Sequence, residues 1–237
     1  MARFLLIHGA CHGAWCWDRV LPLLDHGAHQ ARAIDLPAHG RDRTPPATAS
    51  LALYARAIAA AIDDPVVLVG HSAAGFAITA AAELAPDRIV ALVYLAAYVP
   101  RPGQSLADLR RAGPSQPLRA AIRVAPDRLS FSLDRDLVAD ALYHDCPPDA
   151  VAMACANLCP EPIAPQETAL TLTPRSASLP RHYIRCAEDR AIPSEYQAAM
   201  AATWPGTSVT TLPASHSPFL SAPDVLARRL LAIAGQP

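Results

Sequence analysis

The stretch Val66-Val67-Leu68-Val69-Gly70-His71-Ser72-Ala73-Ala74-Gly75 decides the reading of this chain. Its first residues form a short apolar run of the kind buried on both faces of a parallel sheet. The run stops at Gly70, and an Ala-rich segment with helical spacing, Ala73–Leu84, begins almost at once. A strand that turns into a helix over so few residues brings the two backbones close together, which is why small residues flank Ser72. Such a turn sets Ser72 Oγ at the C-terminal edge of the sheet. It also aims the Ala73 amide, at a helix N-terminus, toward negative charge developing there. The competing reading is a serine that only caps a buried helix.

Working outward, similar runs alternate with helical spacing through the first hundred residues. Phe4–Ile7, Ala31–Ile34 and Ile89–Leu95 read as strands buried on both faces, and Ala14–Leu24 and Leu51–Ile62 as helices. This alternation predicts right-handed βαβ units and an α/β fold, a doubly wound, mostly parallel sheet of six core strands. The pattern stops after Val99. From Pro100 to Pro180 the chain is Pro-rich, with helical patches at Ser105–Arg111, Arg135–Leu142 and Asp149–Leu158 and no strand signal. A structureless connection of that length is out of place in a compact domain. Residues 100–180 are therefore expected to form an inserted helical cap, and residues 1–99 and 181–237 the core. Alternation resumes with a strand at His182–Cys186, a helix near Ser194–Ala202, a strand at Ser208–Leu212 and a last helix at Asp224–Ile233.

Composition narrows the function. The chain has 237 residues, 52% apolar and 17% charged, which argues against disorder. A formal net charge of −1 gives no electrostatic reason to expect nucleic acid or an anionic membrane as partner. No stretch approaches the roughly 20 apolar residues of a membrane span. Arg3–Ile7 reads as a first strand rather than a targeting segment, so a cytoplasmic protein is expected. Every basic side chain other than His is Arg, and Lys-based Schiff-base chemistry has no residue to use. The six cysteines lack CxxC spacing. Most of them are expected reduced and buried, with neither a disulfide framework nor a metal site.

Three further segments carry chemistry. His216 lies in a loop between the last predicted strand and the last predicted helix, beside the expected place of Ser72, where its imidazole can take the serine proton. Asp189 follows the strand at His182–Cys186 and is the expected orienting acid, favoured over the adjacent Glu188 by its offset from the strand end and from Pro193. The loop His8-Gly9-Ala10-Cys11-His12-Gly13 follows the first strand; its glycines permit close backbone approach, and Ala10 is the natural second oxyanion donor beside Ala73. Gly9, Cys11, His12, His71 and Phe131 are expected along the substrate pocket. Leu106, Leu118, Leu142 and Leu158 are expected as further apolar walls from the cap. Asp35 and His39 resemble another acid–base pair, but no nucleophile adjoins them, and a turn that fixes the loop is the better reading.

Together these residues resemble the α/β-hydrolase superfamily, and more narrowly the plant methylesterase and hydroxynitrile lyase family, of which this chain looks like a bacterial member. The resemblance rests on His8–Trp17, Asp35–Gly40, Gly70–Gly75, Tyr94–Pro100, Glu188–Pro193 and the His216 loop. It implies a Ser72–His216–Asp189 triad, an oxyanion hole from the Ala10 and Ala73 amides, no cofactor, and a small-molecule ester as substrate; a homodimer is compatible with it. The lyases of this resemblance carry Thr where Gly9 stands and Lys where Ser217 stands, so both positions favour ester hydrolysis over carbon–carbon cleavage. Ala74 stands where the family has Gly. Lyase chemistry and a non-catalytic ligand receptor are the two competing functions.

Overall fold

A computed structural model describes residues 1–27 and 29–235. The strands are β1 (Arg3–Ile7), β2 (Gln30–Ile34), β3 (Val66–His71), β4 (Ile89–Leu95), β5 (Ile122–Val124), β6 (Ser130–Leu133), β7 (Glu161–Pro162), β8 (Arg181–Cys186) and β9 (Ser208–Leu212). Six of them form one parallel sheet in the order β2-β1-β3-β4-β8-β9. The chain steps from β1 outward to β2, returns across β1 to β3, and then proceeds in the opposite direction. The loops after β1 and β3 therefore diverge at their C-terminal ends, and a crevice opens between them.

Alternation along the central strands builds two cores. Leu5, Ile7 and Leu68 face the layer formed by helices Leu51–Ala60 and Ala74–Leu84. Phe4, Leu6, Val67 and Val69 face the opposite layer, in one cluster with Trp17, Phe219 and Leu226 and Leu230 of helix Pro223–Ala234. Every residue of β3 is buried, as expected for a central strand covered on both faces. β2 departs from that expectation: it is an edge strand, and none of its residues is fully buried. The predicted helix Ala14–Leu24 is also broken, into a 3-10 turn at Ala14–Trp17 and a short helix at Leu21–Leu24. Pro22 accounts for the break, because it lacks the N–H that a continuous helix would need at that position.

The insertion between β4 and β8 carries helices at Leu106–Ala112, Arg135–Tyr143 and Pro148–Asn157. It is not purely helical. β5, β6 and β7 form a small antiparallel sheet in which Phe131 lies opposite Glu161. These strands have three, four and two residues, too short to show a period, and β7 contains Pro162. Among the described residues, no helix is long and apolar enough to cross a membrane.

Candidate active site

β3 ends at His71 and the next helix begins at Ala74, with Ala73 rather than Ser72 as its N-cap. Ser72 sits alone between them in the left-handed region, φ 55°, a strained conformation for a residue with a side chain. Its amide donates to the Leu95 carbonyl at 3.1 Å, and its carbonyl accepts from the Tyr98 amide at 3.1 Å. The strand end of β4 thus grips the turn on both sides. Ser72 and Ala73 are half-buried among fully buried neighbours.

The His216 loop is held at three points. His71 Nε2–H donates to the His216 carbonyl at 2.9 Å, the Asp145 carboxylate accepts from the Ser215 amide at 2.8 Å, and His216 Nδ1–H donates to Asp189 Oδ2 at 2.7 Å. That last bond commits Nδ1 as the protonated nitrogen and leaves Nε2 free to accept. Asp189 is buried and receives three further donors: the Ala191 amide at 2.7 Å, the Ile192 amide at 2.8 Å and Gln197 Nε2 at 2.8 Å. Glu188 is exposed, and only its backbone bonds to the His216 loop. Gln197 and Asp145 were not singled out from the sequence. Gln197 is fully buried, with Oε1 accepting from the Cys186 amide at 3.0 Å. The one signal for it is a Gln in an otherwise apolar register of its helix.

Ser72 and His216 line one cavity of about 60 Å³, whose walls include Ala10, Ala73, His12, His71 and the cap residues Leu118, Phe131 and Leu142. It shares Ala10, Ala73, Leu106 and Gln166 with a smaller chamber of about 20 Å³ lined also by Gly9, His39, Tyr54 and Glu161. Among the described residues, neither the Ala10 nor the Ala73 amide is spent on another hydrogen bond. Three expected pocket residues lie outside the Ser72 cavity, Gly9 among them, since it lines only the smaller chamber. Cys11 lines neither cavity: it turns through φ 61° and its amide is bonded to Glu161. Leu158 follows the end of helix Pro148–Asn157 and packs into the core on the other face.

Four buried histidines surround this loop, and their partners fix their charge. His8 donates from Nδ1 to the Gly9 carbonyl and accepts at Nε2 from the Leu36 amide. His12 donates from Nδ1 to the Ala10 carbonyl and accepts at Nε2 from the Tyr143 hydroxyl at 2.7 Å. Burial holds His8 and His71 well below the usual imidazole range and His12 at about 4, so all three are neutral. His39 is different. Burial lowers its basicity, but the Glu161 carboxylate 2.7 Å from Nε2 and the Pro37 carbonyl on Nδ1 more than offset that, and the net shift is upward. Glu161 is held below the usual carboxylate range by the same pairing, against the effect of its own burial. Asp35 and His39 thus do not pair, in line with the reading of this segment as a turn that fixes the loop. Asp35 accepts from the Ala14 and Arg41 amides and fixes the turn, while the partner of His39 comes from the cap.

Comparison with known proteins follows the same outline. The Alpha/beta hydrolase family matches residues 4–229. The chain belongs to that family. It is 32% identical to methylesterase 7 of Arabidopsis thaliana, over 98% of this chain and 96% of that protein. It is 34% identical to the putative chloroplastic methylesterase 11 of the same plant, of whose length it spans 64%. Among solved structures, a pyrethroid hydrolase from Sphingobium faniae superposes with a TM-score of 0.90 at 26% identity, covering 100% of this chain and 98% of that one. This α/β-hydrolase thus stands with esterases by sequence and by structure.

Proposed function

We propose that this α/β-hydrolase is a serine carboxylesterase that cleaves small to medium hydrophobic esters, methyl esters and lactones included, through an acyl-enzyme. The observation that carries this reading is the shared cavity: Ser72, the free face of an Asp189-held imidazole and two unspent amides meet in a largely apolar space. Ser72 Oγ attacks the ester carbonyl while His216 Nε2 takes its proton. The Ala10 and Ala73 amides receive the oxyanion, and His216 then protonates the leaving alkoxide. Water, deprotonated by the same nitrogen, releases the acid and restores Ser72. The cycle balances without a cofactor. Loss of one oxyanion donor is expected to cost about 10²–10³ in turnover.

Hydrolysis of short p-nitrophenyl esters by the wild type and by Ser72→Ala tests the proposal. Turnover that disappears in the variant supports it, and a folded wild type that cleaves no ester in the series overturns it.

A further inference from the structure

The cap reaches beneath the active-site loop through a strap of three residues, Cys159 to Glu161. This strap takes hold of Cys11 from both sides. The Cys159 amide donates to the Cys11 carbonyl at 2.9 Å, and the Cys11 amide donates to Glu161 Oε2 at 3.0 Å. Cys11 needs such a grip, because its left-handed φ of 61° costs roughly 1–2 kcal/mol for a residue with a side chain. It is also the residue next to Ala10, so the peptide planes of the two are linked.

We propose that Glu161 is a positioning residue for the oxyanion hole: by holding the Cys11 amide, it sets the direction in which the neighbouring Ala10 amide points. This inference rests on the ester-hydrolysis reading above.

The choice of a carboxylate follows from the number of donors. One oxygen, Oε2, accepts both the Cys11 amide and His39 Nε2–H, and a charged acceptor makes both bonds shorter and more directional. A buried carboxylate has a cost of its own, since Glu161 is only 3% exposed and an unpaired charge there would also oppose the oxyanion forming nearby. His39, 1% exposed and anchored through Nδ1, supplies the opposite charge. The pair is neutral in sum, so it fixes the loop without placing net negative charge beside the reaction. The cap in this arrangement supplies more than apolar walls: it holds part of the catalytic backbone in place.

The test compares wild type, Glu161→Gln and the neutral double variant His39→Gln/Glu161→Gln with a p-nitrophenyl ester, reading kcat and KM separately. Affinity for a trifluoromethyl ketone, which forms a tetrahedral adduct on the serine, is measured alongside. Displacement of one oxyanion donor by a fraction of an ångström is expected to lower kcat of Glu161→Gln about 10- to 100-fold with KM nearly unchanged. Ketone affinity should fall by a similar factor. The double variant also removes the His39 charge that Glu161→Gln leaves without its partner, so it should stay folded even if the single variant is destabilised, and it should recover part of kcat. A purely structural staple predicts the reverse: a lower Tm and a raised KM with kcat and ketone affinity intact, and that result overturns the proposal. Wild-type turnover lost on Ser72→Ala keeps the two questions apart. If that control fails, the esterase reading falls and this inference with it; if it holds and kcat survives in both Glu161 variants, only the role of Glu161 falls.

Discussion

Gly9 leaves no room for a side chain beside the reacting serine. A Cβ there would lie 2.8 Å from His71 Nδ1 and 2.9 Å from the Ser72 Cβ, closer than real Cβ atoms come to their neighbours. Gly9→Thr must therefore displace the serine, the His71 ring or the loop that carries Ala10. Because misplacement by about 1 Å costs on the order of 10²-fold in rate, kcat/KM on a short p-nitrophenyl ester should fall by about that factor. Gly9→Ala, which makes the same Cβ contacts, should lose nearly as much, and wild-type rates in both would show that the loop yields freely. At this scale the readable residues were those at strand ends. Ser72, His216 and Asp189 each follow a recognisable strand by a few positions, so topology alone brings them together. Glu161, Gln197 and Asp145 follow no such rule. Glu161 and Asp145 bond to partners far off in sequence, Cys11 and Ser215, and Gln197 is a buried polar residue in a short helix; only folding reveals these bonds.

Among the elements, helix Ala74–Leu84 and the segment after β4 approach closely at Gly75. A Cβ on Gly75 would overlap the Tyr98 carbonyl oxygen. Tyr98 also donates its amide to Ser72, so the same crossing sets the height of the turn. Gly75→Ala should push helix and strand apart, destabilise the fold by roughly 1–3 kcal/mol as overpacked sites do, and lower turnover as well. A shift in the urea midpoint at constant m value would measure it, and an unchanged midpoint would show that the crossing has slack. Ala74, by contrast, fits its place in this turn, because it already belongs to the helix and Ser72 alone takes the positive φ. The strands of the core were legible from runs of Val, Ile and Leu, since burial on both faces demands them. The cap strands were not. β5 and β6 present Arg123 and Ser132 among their apolar residues, and β7 is Glu-Pro, so no period or propensity marks them. They exist because Phe131 and Glu161 are useful side by side, one to the cavity and one to the loop beneath it.

For the whole molecule, the buried histidines tie stability to pH. His8, His12 and His71 are neutral in the folded chain, and each has its acceptor nitrogen engaged or enclosed. Unfolded, they take up protons below about pH 6.5. Groups whose folded pKa is depressed in this way stabilise the fold above the unfolded pKa, and that stability is lost as pH falls. One such proton is worth about 1.4 kcal/mol per pH unit, so three give a slope of about 4 kcal/mol per unit below pH 6.5. His12 stops contributing near its folded value of about 4. His39 works in the opposite direction. Its raised pKa adds stability that is full below the unfolded value and fades as pH rises through the folded one. Glu161, with a depressed pKa, loses its contribution only at the acid end. The sum is a fold that is most stable just above pH 6.5, declines gently on the alkaline side and fails steeply in acid. A typical domain has only 5–15 kcal/mol to lose, so unfolding is expected between about pH 5 and 4. Urea midpoints taken from pH 8 to pH 4.5 would trace the curve. His12→Gln, which cannot take up a proton, should reduce the acid slope by about one third. A flat profile across that range would mean that the histidines are not held neutral, and an undiminished slope in the variant would place the acid sensitivity in groups other than His12.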